Sequence, residues 1–296
     1  MKRYLWRLTF MVIIVVVVFA LYRRLTINPP SPTAFLESPY PLILAHRGGM
    51  ALAPENTMLA FERALVAGAD GLEIDVRASR DGELVVIHDE TVDRTTNGTG
   101  RVADMTLAEL KALDAGYRYS PDNGVTFPYR GQGLTIPTLR EVLEAFPDTP
   151  INIEIKQTDP PIEEALANLI REMGAEEWVL VVSTEDEVIK RFRHLAPGVA
   201  TGAATGEVTR FYWMQRLRLS SFYRPVAHVL QVPEEVDGTR IITPHFVEAA
   251  HAQGMKVIAW TVNMPDRMRE LLRMGVDGIV TDRPDLLRQV RAEVTY

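Results

Sequence analysis

The stretch 71-GLEIDVRASRDGELVVIH-88 holds two runs rich in β-branched residues, Gly71–Val76 and Leu84–His88, separated only by Arg77 to Glu83. Parallel neighbours need a crossover of a dozen or more residues, so these two runs pair antiparallel if they pair at all. Asp81-Gly82 is a strong two-residue hairpin signal. If that turn closes, residue 80 faces 83, and counting outward sets Asp75 opposite His88. Opposed residues share one face of a hairpin, and Glu73 and Asp75, two apart on one strand, also point the same way. The pattern thus brings two carboxylates and an imidazole to one side of a sheet.

Working outward, short apolar runs alternate with amphipathic stretches. The candidate strands are Leu42–His46, Gly71–Val76, Ile151–Lys156, Val179–Ser183, Ala200–Ala204, Val229–Val232, Lys256–Val262 and Gly278–Thr281. Pro54–Ala67, Asp266–Met274 and Pro284–Val294 carry helical periodicity, the first ending at Gly68. Eight strands with intervening helices imply an α/β fold, a (β/α)8 TIM barrel. Residues 42–296 match the ~250 residues usual for that barrel. Leu84–His88 stands outside the alternation. Residues 89–136, rich in Gly, Thr and Asp with one helical piece at Leu107–Ala115, form a small insertion.

Apolar residues at 47% and charged residues at 24% describe an ordinary globular core. A net charge of −7 disfavours a nucleic-acid partner, which would call for a basic surface. The chain has no cysteine, which excludes disulfides, thiolate metal sites and a cysteine nucleophile. At the front, Leu8 to Tyr22 is an uncharged run of 15 residues. Extended to Tyr4 with Arg7 snorkelling, it reaches roughly 28 Å, close to the ~30 Å hydrocarbon core. Residues 1–25 are therefore expected to form an N-terminal transmembrane helix, with a cleaved signal peptide as the competing reading. Residues 26–41, with Pro29, Pro30, Pro32 and Pro41, form a Pro-rich linker. Lys2, Arg3 and Arg7 outweigh Arg23 and Arg24, so a single-pass protein would keep its N-terminus in the cytoplasm and its catalytic domain outside.

The chemistry-bearing residues fall at strand ends: His46 with Arg47, Glu73 with Asp75, His88, and Glu154 with Lys156. In a barrel the C-terminal strand ends build the active site. Each feature has a plain structural reading, a solvated strand edge for Glu73 and Asp75 or an ion pair for Glu154 and Lys156. Their joint occurrence around one rim favours a site. Three converging carboxylates suit a hard divalent cation, Ca²⁺ or Mg²⁺. Two imidazoles beside it can trade a proton as base and acid. Arg47 offers a fork for phosphate oxygens and Lys156 a point charge. Lysine is scarce, five in the chain, which marks Lys156 further. The aromatic and basic segment Glu207 to Arg224 reads as a barrel-covering helix or as a surface lying in a lipid interface.

From Leu44 to Leu287 the chain resembles the glycerophosphodiester phosphodiesterase family, related to phosphatidylinositol-specific phospholipase C. The likeness rests on AHRGGMALAPENTMLAFERAL (45–65), GLEIDVRASRDGELVVIHDETVDRTTNGTG (71–100), INIEIK (151–156) and VIAWTVN…GVDGIVTDRP (257–284). It implies metal ligands Glu73, Asp75 and Glu154, an acid/base pair His46 and His88, and Arg47 and Lys156 on the phosphate. It further implies that Trp260 lies near the glycerol and that 42–296 is the catalytic domain. The expected reaction releases sn-glycerol 3-phosphate and an alcohol with one divalent cation, and the phospholipase likeness suggests a cyclic phosphate intermediate. A lysophospholipase D acting on lysophospholipids is the near alternative, and a catalytically silent, membrane-tethered binding barrel the distant one.

Overall fold

The structure is a computed structural model that describes residues 6, 7, 10, 11, 13–18 and 33–294. From residue 42 the chain alternates as its sequence implies. Strand β1 (Leu42–His46) leads through α1 (Met58–Ala67) to β2 (Gly71–Ala78), whose hairpin partner is β3 (Leu84–Val86). The excursion beyond β3 carries α2 (Leu107–Lys111) and returns through α3 (Leu139–Ala145) to β4 (Ile151–Ile155). Next come α4 (Glu163–Glu172), β5 (Val179–Val182), α5 (Asp186–Leu195), β6 (Ala200–Thr201), α6 (Thr205–Arg216) and β7 (Val229–Pro233). A small hairpin, β8 (Glu235–Val236) and β9 (Thr239–Arg240), precedes α7 (Pro244–His251). Strand β10 (Lys256–Trp260), α8 (Pro265–Arg273), β11 (Gly278–Thr281) and α9 (Pro284–Glu293) follow.

Eight of these strands run parallel in the order β6-β5-β4-β2-β1-β11-β10-β7. A parallel bridge from Gly202 to Val229 joins the first to the last, so the sheet curls into the barrel that the sequence implies. Strand alternation decides what faces where. Ile74, Ile151, Ile153 and Val181 pack outward with helix residues such as Phe61, Leu166 and Ile189. Leu42, Leu44, Leu180, Val229, Ile258 and Val280 cluster with Phe35, from a 3₁₀ turn at Ala34–Leu36. Phe35 is fully buried, and its backbone N–H donates to Glu177 O at 2.8 Å, just before β5 begins. It thus stops the lower end of the barrel. Burying each such side chain contributes roughly 1.5–3 kcal/mol.

Helix α1 shows how local chemistry sets the boundaries. The Thr57 hydroxyl accepts from Ala60 N, fixing the start at Met58, later than the Pro54 expected from periodicity. Gly68, at φ +98°, donates to the Ala64 and Leu65 carbonyls in a left-handed cap that a side chain would strain.

Two expectations need correction. The β2–β3 hairpin pairs Val76 with Val86, Arg77 with Val85 and Ala78 with Leu84. Its loop is three residues, Arg80-Asp81-Gly82, closed by Ser79 N donating to Glu83 O at 2.9 Å, with Gly82 left-handed at φ +87°. The Ser79 hydroxyl donates to Asp81 at 2.6 Å and holds this wider turn. The register therefore shifts by one, and Ile87, not His88, donates its N–H to the Asp75 carbonyl. The second correction concerns the transmembrane helix and the single-pass topology built on it. Among the described residues no helix is long and apolar enough to cross a membrane. As a helix the uncharged run of 15 residues would span only ~22 Å, and reaching ~30 Å would require burying Arg7 in the span. The remainder of residues 1–32 lies outside the described residues.

Candidate active site

The sequence-marked residues meet at the C-terminal rim of three adjacent strands. His46 ends β1, Glu73 and Asp75 point inward from β2, and Glu154 does so from β4 with Lys156 just past its end. The register that aligns His46 with Glu73 and Asp75 with Glu154 sets their heights. His46, Arg47, Glu73, His88, Glu154, Lys156 and Trp260 all line one pocket.

Glu73, Asp75 and Glu154 each offer a carboxylate oxygen within 4.8 Å of the others. Glu73 and Asp75 are buried, so their charges lack water and need protein partners. Arg47 N donates to Glu73 at 2.9 Å, and Asn56 Nδ2 donates to Asp75 at 2.9 Å. Lys156 Nζ lies 2.8 Å from Glu154 and 3.5 Å from Asp75. These donors leave the cluster short of positive charge. Burial first, and then the Asp75 charge, push the Glu73 carboxyl up to about 8. An all-oxygen donor set of this compactness fits a hard divalent cation. The Asn56 Oδ1, buried and without a hydrogen-bond partner, adds an unused oxygen beside the set.

Each histidine is anchored through Nδ1. His46 Nδ1 lies 2.6 Å from Asp282 Oδ1, and Asn263 Nδ2 donates to the other oxygen of that carboxylate at 2.6 Å. Burial alone would lower the His46 imidazole. The Asp282 hydrogen bond and the Glu73 charge outweigh it, and its pKa is raised. His88 Nδ1 lies 2.6 Å from Asp89 Oδ1, and the His88 carbonyl accepts from Arg77 Nε at 2.9 Å. In both cases Nε2 remains for chemistry.

Sequence reading left Arg94 without a role. Its guanidinium donates to both oxygens of Glu55, at 2.6 and 2.7 Å, and to both oxygens of Asp89, at 2.5 and 3.2 Å. Glu55 in turn accepts from Arg47 Nη1 at 2.9 Å. One cation therefore braces the Arg47 guanidinium and the His88 imidazole together. Burial would raise Asp89, but its hydrogen bonds from Arg94 and His88 prevail and hold it at about 2. Glu55 is lowered for the same reason, burial being outweighed by Arg94 and Arg47. Asp282, Asn263 and Asn56 were missed as well. All three sit inside quoted motifs, where only tertiary pairing reveals their partners.

Residues 46–286 match the Glycerophosphoryl diester phosphodiesterase family. The chain belongs to this family. A glycerophosphodiester phosphodiesterase from Caldanaerobacter subterraneus is 39% identical over 251 residues, covering 83% of this chain and 96% of that protein. One from Bacillus altitudinis is 36% identical, covering 85% and 98%. Among solved structures, a phosphodiesterase from Oleispira antarctica, in complex with its product sn-glycerol-3-phosphate, is similar at a TM-score of 0.66 and 28% identity. The match covers 85% of this chain and 96% of that one. Family and relatives make the chain a phosphoric diester hydrolase of the glycerophosphodiester class. The aromatic segment after β6 forms α6, whose Phe211 packs edge-on against Tyr223 and Phe246, so it covers the barrel.

Proposed function

We propose that the enzyme cleaves glycerophosphodiesters to sn-glycerol 3-phosphate and an alcohol, with Glu73, Asp75 and Glu154 holding one divalent cation, Ca²⁺ or Mg²⁺. The observation that carries this reading is the compact carboxylate triad, of which Glu73 and Glu154 line one pocket with two imidazoles, each oriented through Nδ1. When bound, such a cation supplies charge that stabilises phosphoryl oxygen. The rest of the work falls to the chain. Arg47 and Lys156 bind the phosphate. One imidazole accepts the nucleophile's proton at Nε2, and the other delivers a proton to the departing alcohol oxygen. Asp282 and Asp89 keep the rings in the tautomer that leaves Nε2 toward the substrate. Trp260, at the end of β10 and lining the same pocket, is the surface for the glycerol carbons.

The test is turnover of glycerophosphocholine by the full chain after exhaustive chelation and after adding back Ca²⁺ or Mg²⁺. Loss and restoration are expected. Undiminished turnover in chelator would remove the cation from the mechanism.

A further inference from the structure

Between the end of α6, strand β9 and the start of α7 lies a second recess, of about 210 Å³. Its lining holds three arginines, Arg216, Arg218 and Arg240, together with His245, and no carboxylate. Arg240 donates to Glu270 at 2.6 Å. Among the described residues Arg216 and Arg218 take part in no ion pair. In a chain of net charge −7, cations gathered without counter-charge repel one another unless an anion joins them. Arg216 lies in the last turn of α6, where a positive charge complements the helix end. That effect does not account for the conformation of Arg218. Leu219 N donates to Met214 O at 2.7 Å and Arg218 N to Gln215 O at 3.0 Å, a helix ending whose left-handed position normally falls to glycine. Arg218 occupies it at φ +61°, strained by its side chain. The floor supplies an independent observation. Gln215 is only 2% exposed and lines the recess, yet its side-chain amide makes no hydrogen bond among the described residues. A buried amide without a partner is costly unless a ligand satisfies it.

We propose that this recess is a second anion site, separate from the reaction centre, that takes a phosphate group between Arg216, Arg218 and the Gln215 amide. Planar guanidinium forks match phosphate oxygens in pairs, and an amide N–H₂ adds a neutral donor from below. The recess is smaller than the ~300–1,000 Å³ of pockets that enclose whole ligands, so it holds the anionic group and leaves the remainder of the molecule outside. Tyr212 and Ile241 line both this recess and the reaction pocket, so the two sites stand on opposite sides of one thin wall. The phosphate belongs either to a soluble phosphate or phosphomonoester or to the headgroup of an anionic lipid.

The experiment titrates inorganic phosphate into the full chain by calorimetry. Wild type should bind one equivalent more than Arg216→Gln/Arg218→Gly, whatever the reaction centre takes. Each lost guanidinium should weaken that equivalent about tenfold or more, the factor of a charged hydrogen bond. Arg47→Gln, which disturbs the reaction centre alone, should keep it. Glycine at 218 relaxes the left-handed turn, so the double variant should melt no lower than wild type. Its turnover of glycerophosphocholine without added phosphate should be unchanged. Arg218→Lys, which keeps the charge and loses the fork, should bind more weakly than wild type and more tightly than the double variant. Equal stoichiometry and affinity in wild type and double variant would overturn the site, as would loss of every equivalent in Arg47→Gln. Sedimentation with phosphatidylcholine vesicles, with and without phosphatidic acid, separates the two sources. Binding that requires phosphatidic acid and is lost in the double variant would assign the site to a lipid headgroup. Equal sedimentation of both proteins, with the calorimetric difference intact, would assign it to a soluble phosphate.

Discussion

His46 occupies the last position of a barrel strand, and the carboxylate that holds its Nδ1 arrives from the loop after β11, itself gripped by Asn263 after β10. His88 lies past the end of the short β3, and its carboxylate is the next residue in the chain, gripped by Arg94 from the inserted segment. The two rings make the same 2.6 Å contact. One rests on the closed sheet, and the other on a charge network outside it. The difference teaches that the insertion completes half of the site. It also suggests that the two sides fail differently when perturbed.

The strongest attack on the comparison removes the rings themselves. His46→Ala and His88→Ala should each lower kcat by roughly 10²–10⁴-fold, with His194→Ala nearly silent. If one ring proved dispensable in steady-state kinetics, the pairing of the two sides would collapse. Removing the supporting charge comes next. Asp282→Asn should cost on the order of 10²-fold or more in kcat by freeing the tautomer. Asp89→Asn should cost less, because the His88 carbonyl stays tied to Arg77. Equal or reversed losses would show that the barrel foundation confers no advantage.

Arg94→Gln separates the two sides more finely. Its side chain is 46% exposed, so water replaces part of what is lost, and a drop of about tenfold in kcat/KM is expected. Because Arg94 also braces Arg47 through Glu55, KM should rise along with the fall in kcat. A double-mutant cycle with Asp89→Asn should be strongly non-additive, and additivity would mean that Arg94 acts elsewhere. The smallest effect is on stability against pH. Asp89 is depressed to about 2 in the folded chain from an ordinary 3.8. A lowered carboxylate stabilises the fold above its ordinary value and loses that contribution as pH falls through the folded one. The melting-temperature gap between wild type and Asp89→Asn should therefore be widest near neutrality and close between about pH 4 and pH 2. A gap independent of pH would assign Asp89 a packing role instead.

The same contrast explains what was legible beforehand. Gly278–Thr281 is bounded correctly by its apolar run, and Glu73 and Asp75 fall on one face because a two-residue period needs no tertiary knowledge, while Glu154 meets them only through the pairing of β2 with β4. The pairing of His88 with Asp75 is a wrong register, since two-residue and three-residue turns share the Asp-Gly signal and Ser79 decides between them, although His88 still lines the pocket. Arg94 pairs with Glu55 across 39 residues, and His46 with Asp282 across 236. No spacing in the sequence encodes either distance. The transmembrane reading failed on length, because the uncharged run was stretched across Arg7 to meet the bilayer.

Phe35 carries a consequence for how the protein is cut. The recognisable family homology begins at residue 46, yet the aromatic ring that seals the lower mouth of the barrel comes eleven positions earlier, ahead of the first strand. A recombinant fragment trimmed to the homologous region would lose β1 apart from its last residue, and one trimmed neatly to β1 would still open a hole beneath Leu44, Leu180 and Val229. Fragments for crystallisation or screening should begin upstream of Thr33, so that the cork travels with the bottle.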